Sequence, residues 1–159
     1  MALRNFSWVL PERLAGSGIP GGYDSDLEEY VSSDLRELRE RGVDVLVSLQ
    51  RVPDAFGVLC RTAGLDWLPY PIEDFAAPAD VAGFERLVDE CISRMNAGKG
   101  VCAHCHAGVG RTGLFLACTV GRQLGLDADR AIERVRVNRL ALDTEAQEQF
   151  VRRFLDGKP

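Results

Sequence analysis

No apolar run in the chain approaches the ~20 residues needed to cross a bilayer, so no membrane span is expected. Met1 to Arg13 carries no basic stretch leading into an apolar one, and no secretory signal is read there. Cysteine is too sparse and uneven for a disulfide framework. The five residues are Cys60, Cys91, Cys102, Cys105 and Cys118, an odd number at irregular spacing. Reduced thiols and a cytoplasmic location are expected. Excess positive charge is also absent. A formal net charge of −5 argues against nucleic acid or an anionic membrane as a bulk partner, so any anion handled must be held at a local site. Histidine is nearly missing: His104 and His106 are the only two. No internal repeat or low-complexity tract occurs.

What is present is enough for a core. Hydrophobic residues make up 46% of 159, which suits one domain over 1–159. Gly and Pro punctuate throughout, and Gly16 to Gly22 reads as a loop. Leu27, Tyr30, Val31, Leu35 and Leu38 recur at helical spacing over 27–41. Asp44 to Leu49 is a β-branched run and reads as a buried strand. Trp67 to Ile72 is extended, with Pro69 and Pro71 keeping it at an edge. Residues 80–96 place Val81, Phe84, Leu87, Val88, Cys91, Ile92 and Met95 on one stripe. Val101 to His104 is a short strand. Thr112 to Leu124 is apolar nearly all round and predicts a central buried helix, stopped by Gly125. Two further amphipathic helices are expected over 128–138 and 144–155. Alternation of this kind predicts an α/β layered domain with a mainly parallel sheet.

The chemistry concentrates in one loop, His104-Cys105-His106-Ala107-Gly108-Val109-Gly110-Arg111-Thr112-Gly113, between a strand and the buried helix. Gly108 and Gly110 let the backbone curl and bring successive N–H groups to a common centre. The following helix points its positive end at the same centre. Arg111 can turn a planar two-pronged donor onto a bound group. The result is a cradle for a tetrahedral dianion with the Cys105 sulfur at its base. The same field favours thiolate over thiol, and a thiolate beneath a phosphate is an in-line nucleophile. His106, Ala107, Gly108, Val109 and Gly110, with Arg111, form the candidate phosphate-binding set.

Four other readings compete for these residues. Gly108 to Gly113 matches G-x-G-x-x-G, but the second strand and acid of a dinucleotide site are not found, since Asp129 and Glu133 fall in a helical pattern. Cys102 to His106 fits C-x-x-C-H, but haem attachment needs export. Cys102, Cys105, His104 and His106 are crowded into five residues, and no second pair exists to close a zinc tetrahedron. A Cys102–Cys105 redox pair is disfavoured because a strand thiol usually faces the core, although a regulatory disulfide is left open. A plain Gly-rich turn leaves the Cys, Arg and Thr at these offsets unexplained. No metal or other cofactor is expected.

His104-Cys105-x5-Arg111-Thr112 resembles the signature of the protein tyrosine phosphatase superfamily. Asn5 to Pro11, the Asp44 to Leu49 strand, Pro71-Ile72-x-Asp74 and Thr144-x-x-Gln147-Glu148 are similar to the smallest atypical dual-specificity phosphatases, which together cover most of the chain. The resemblance implies the dual-specificity phosphatase fold, a twisted sheet of about five strands flanked by helices. It implies Asp74 as the general acid that protonates the leaving oxygen and then activates water. Glu73 is the rival, and Asp66 and Asp80 are the bland alternatives. It implies Thr112 as the hydroxyl on the thiolate, and His104 as the residue ordering the loop from behind. Gln147 resembles a glutamine that helps place water, and equally fits a solvated helix position. The family often has an Arg-Pro-Gly turn before the last helix. Here the stretch is Asn138-Arg139-Leu140-Ala141-Leu142-Asp143, so that turn is rebuilt. His106 is read as facing solvent.

Phosphotyrosine protein or peptide is the expected substrate and partner, with phosphoserine and phosphothreonine weaker, acted on by a monomer. No lysine lies between Cys105 and Arg111 to grip extra phosphates, so phosphoinositides and RNA 5′ ends are runners-up. A non-catalytic phosphate-binding module is the alternative of another class. Trp8, Phe75 and Val109 are candidates for the pocket rim, and each fits core packing equally.

Overall fold

The structure is a computed structural model that describes residues 3–157. Met1, Ala2, Lys158 and Pro159, counted in the domain expected over 1–159, lie outside the described residues.

Five strands form one sheet: β1 (Ser7–Leu10), β2 (Leu14–Ser17), β3 (Val45–Ser48), β4 (Asp66–Pro69) and β5 (Val101–His104). Their order is β1-β2-β5-β3-β4. The β2–β5, β5–β3 and β3–β4 pairs are parallel, and only the β1–β2 hairpin is antiparallel. The helices are α1 (Glu28–Glu40), α2 (Phe56–Thr62), α3 (Val81–Asn96), α4 (Gly110–Leu124), α5 (Ala128–Arg136) and α6 (Glu145–Asp156). This is the α/β layering with a mainly parallel sheet that the sequence predicts.

The central strands are buried on both faces, which is why β3 reads as a continuous apolar run. Period-two alternation sorts their side chains into two cores. Leu14, Val45, Val47, Val101 and Ala103 face the larger core with Phe84, Phe115 and Phe150. Ala15, Leu46 and Cys102 face the smaller one, built with Leu35 and Leu38 of α1 and Phe56 and Cys60 of α2. Helix α4 is buried through most of its length, as its unbroken apolar sequence requires. Side chains fix three helix starts: Asp80 accepts from the Gly83 N–H at 3.0 Å, Asp127 from the Arg130 N–H at 2.9 Å, and Thr144 with Gln147 closes a capping box on α6.

Several expectations change. Gly16 and Ser17 belong to strand β2 rather than to a loop. Gly16 is glycine for a packing reason: a Cβ there would sit 2.8 Å from Leu116 and 2.9 Å from both Thr112 and Arg139. Helix α2 carried no sequence signal because it is short and contains Gly57, whose Cβ would meet the Trp67 ring at 2.7 Å. Leu27 and Val81, expected on buried stripes, are exposed at helix starts.

The carboxyl ends of three parallel strands finish together, with Ser17, His104 and Ser48 in register and all fully buried. A chain of hydrogen bonds runs through Ser48 and His104. Trp67 Nε1 donates to Ser48 Oγ at 2.8 Å, and Ser48 Oγ lies 2.7 Å from His104 Nε2. His104 Nδ1 lies 3.0 Å from the Cys105 carbonyl, which can only accept, so Nδ1 carries the proton and Nε2 accepts from Ser48. Burial, with the Arg111 charge adding to it, pushes the imidazole pKa down to about 4.

Phe84 packs edge-on against Tyr70, Phe115, Phe150 and Phe154, with ring centroids 5.2 to 6.3 Å away. Phe84→Ala is expected to lower the free energy of urea unfolding by about 3–5 kcal/mol. The buried imidazole makes a second prediction. Below pH ~6.5 the unfolded chain binds a proton that folded His104 refuses until about pH 4, so stability falls across that window by roughly 3 kcal/mol. His104→Asn should flatten this part of the stability-against-pH curve, and equal slopes for the two proteins would refute the assignment.

Candidate active site

The loop that leaves β5 ends where α4 begins, at Gly110. Cys105 lies at its base, 3% exposed, and the Thr112 hydroxyl donates to its sulfur at 3.0 Å. The loop carbonyls turn outward and each finds a donor. The His106 oxygen takes the Ile19 N–H at 2.9 Å, and the Ala107 oxygen takes Asn5 Nδ2 at 3.0 Å. The Gly108 oxygen takes Arg139 Nη2 at 2.7 Å and Asn5 Nδ2 at 3.3 Å. The Val109 oxygen takes the N–H groups of Gly113 and Leu142. Among the described residues no backbone acceptor takes the N–H groups of His106, Ala107, Gly108 or Val109. Successive N–H groups left open in this way can serve as donors to an anion.

Glycine is required in the loop at Gly108. Gly108 has φ +82°, and a Cβ would meet the Ser17 carbonyl at 2.5 Å. At Gly110 a Cβ would overlap the Asp143 carboxylate. His106 and Ala107 are exposed at the mouth, so His106 faces solvent as expected, and Val109 is half-buried.

Arg111 is 6% exposed and reaches across to the segment after β4. Its Nη1 donates to the Ile72 carbonyl at 3.0 Å, and its Nη2 lies 3.2 Å from Asp74 Oδ1. Its Nε is buried with no protein partner among the described residues. A cavity of about 270 Å³ opens here, lined by Gln50, Arg51, Pro71, Ile72, Glu73, Asp74 and Arg111. Glu73 shares the cavity but only Asp74 pairs with Arg111. Asp66 pairs instead with Arg94 at 2.9 Å, and Asp80 caps α3, so both have structural work elsewhere.

The start of α6 clasps the Asp74 loop. Thr144 Oγ1 donates to the Phe75 carbonyl at 3.1 Å, and Gln147 Nε2 to the Ala76 carbonyl at 3.3 Å. Gln147 Oε1 accepts from the Asp143 and Thr144 N–H groups. Gln147 is fully buried, which overturns its solvated-helix reading. The rebuilt turn before α6 does not carry it away: its Nε2 would be 3.0 Å from a Cβ on Gly110. Phe75 is 60% exposed beside Asp74, with φ +63°. Trp8, offered as a rim residue, is not near the site. It packs edge-on against Phe6 in the smaller core, close to Gly42 at the opposite edge of the sheet. All five cysteines are free thiols, and Cys102 faces the smaller core while Cys105 faces the larger. Burial pushes the Cys102 thiol up to about 12, which makes it inert. The residues that sequence reasoning missed are those behind the loop: Asn5, Ser48 and Arg139.

A family model described as polymorphic toxin system, DSP-PTPase phosphatase matches residues 16–125. The chain is similar to dual specificity protein phosphatase CDC14C of Symphalangus syndactylus, 27% identical over 157 residues, which is 92% of this chain and 30% of that protein. The chain thus spans less than a third of that relative. The solved structure of Tk-PTP in its active form superposes with a TM-score of 0.79 at 26% identity, covering 97% of both chains. Kinase associated phosphatase with its catalytic cysteine changed to serine superposes with a TM-score of 0.83 at 23% identity, over 97% of this chain and 95% of that one, a likeness of fold. The family match extends over the larger part of the chain, from β2 through the Cys105 loop and α4, and the chain therefore belongs to the DSP-PTPase phosphatase family, the dual-specificity phosphatases of the protein tyrosine phosphatase superfamily.

Proposed function

We propose that the chain hydrolyses phosphomonoesters of phosphotyrosine proteins or peptides, and more weakly of phosphoserine and phosphothreonine, through a phosphocysteine intermediate. The observation that carries this reading is the placement of the Cys105 sulfur beneath the outward-carbonyl loop, with the Thr112 hydroxyl at 3.0 Å and the Arg111–Asp74 pair across the cavity.

The substrate dianion binds the loop N–H groups and Arg111, competing with Asp74 for the guanidinium. The Cys105 thiolate attacks phosphorus, the bond from phosphorus to the leaving oxygen breaks, and protonated Asp74 gives its proton to that oxygen. In the second step the Asp74 carboxylate takes a proton from water as the water oxygen attacks phosphorus. The S–P bond breaks and the electron pair returns to sulfur, where the Thr112 hydroxyl donates to it. Inorganic phosphate leaves and Asp74 is protonated again. The chain acts as a monomer in a cytoplasmic setting.

Turnover of p-nitrophenyl phosphate in excess chelator tests the reaction class. Activity should survive chelation and disappear with Cys105→Ser or with vanadate, and turnover by Cys105→Ser sinks the mechanism. Asp74→Ala should slow hydrolysis of phenyl phosphate by roughly 10²-fold or more, with a smaller effect on the better leaving group p-nitrophenol. An undiminished rate would move the acid to Glu73. A panel of phosphotyrosine and phosphothreonine peptides, phosphoinositides and RNA 5′-triphosphate ends decides the substrate, with phosphotyrosine expected fastest.

A further inference from the structure

Arg139 is, with Arg111, one of the two arginines buried in the protein among the described residues. It is 7% exposed and lies beneath the phosphate loop, between β2 and α4. Its Nη1 donates to Ser7 Oγ at 2.7 Å and to the Gly16 carbonyl at 2.9 Å, and its Nη2 donates to the Gly108 carbonyl at 2.7 Å. Nε has no partner, and no carboxylate pairs with the guanidinium among the described residues. A buried cation without an anion is costly, and neutral donors would serve the three oxygens with less penalty. The charge makes sense if its counter-anion lies in the site above. Burial lowers the pKa of Arg139, and the acidic groups opposing that shift are the Cys102 and Cys105 thiols.

We propose that Arg139 is a positioning residue for the phosphate loop, holding the Gly108 carbonyl outward and placing a fixed positive charge under the Cys105 thiolate and the bound dianion. This rests on the phosphatase reading of the loop. The three bonds tie β1, β2 and the loop into one unit, so the loop is shaped before substrate arrives. The unpaired charge adds a field from behind the loop.

The test compares Arg139→Gln, which keeps a hydrogen-bonding head without charge, with Arg139→Lys, which keeps the charge. Cys105 is alkylated at one fixed pH by iodoacetate and by iodoacetamide. The ratio of the two rates cancels changes in thiolate fraction and reports the local potential. The other four cysteines are fully buried, and Cys105→Ser provides the blank. Arg139→Gln should lower the iodoacetate-to-iodoacetamide ratio, the vanadate affinity and kcat/KM by roughly tenfold each, the scale of one charge a few ångströms away in a partly screened site. Arg139→Lys should hold the ratio within about twofold of the parent, a difference too small for a lost unit charge. If Arg139→Gln melts at a lower temperature but leaves ratio, affinity and kcat/KM unchanged, Arg139 is only structural and the proposal falls. Should Arg139→Gln fail to fold, Arg139→Lys decides alone, since a tenfold loss of ratio with the charge retained overturns it. If the parent does not turn over p-nitrophenyl phosphate, the proposed function fails, while the alkylation ratio still reports on Arg139.

Discussion

A loop that points its amide N–H groups at one centre must turn its carbonyl oxygens away from it, and each oxygen that turns into the protein then needs a donor. The rest of this structure is arranged around that requirement. The donors come from far along the chain: Asn5 before β1, Ile19 after β2 and Arg139 before α6. None of them touches the sulfur. They hold the backbone in the one shape in which the inward N–H groups converge.

The sheet supplies the platform for this. Parallel strands β2, β5 and β3 end level, so three chain exits share one edge, the edge at which open α/β sheets bind ligands. The central strand β5 delivers Cys105. Its neighbours deliver the supports, Gly18 and Ile19 on one side and Leu49 and Gln50 on the other. His104 locks the exit angle, because its Nδ1–H holds the Cys105 carbonyl while Ser48, itself held by Trp67, holds its other nitrogen. A neutral imidazole is needed for that chain, and full burial keeps it neutral.

The loop, α3, α4 and the mainly parallel sheet were legible because each rests on a local signal: a glycine-rich turn between strand and helix, or apolar spacing along one element. The structure pairs Thr112 with Cys105 and Arg111 with Asp74. What could not be read depends on contacts between distant segments. Gly16 looks like a loop residue until Leu116, Thr112 and Arg139 are seen against it. Gly57 hides a helix for the same reason, with the Trp67 ring filling the space a side chain would take. Trp8 fitted rim and core equally from sequence, and only its place on β1 against the smaller core decides between them. Arg139 stands in the turn singled out as rebuilt, but nothing in that turn signals its burial. An arginine in a polar turn is usually solvated, and only the tertiary structure encloses it.

Arg111 and Asp74 stand in a different relation to the fold than the loop does. The loop is held by many donors and has little freedom. The Asp74 segment crosses the cavity on few anchors: the Ile72 bonds beneath, and Thr144 and Gln147 at the start of α6. Asp74 is more than half exposed while its partner Arg111 is almost fully enclosed. An ion pair so unequally solvated yields more readily at the exposed end, because water replaces the carboxylate's partner at little cost but cannot reach the guanidinium as easily. In the reaction proposed above, an incoming dianion would displace a carboxylate that can step aside without unfolding anything, and the same segment would return with its proton, since the capping box that starts α6 keeps Gln147 and Thr144 in place whether or not Asp74 touches Arg111.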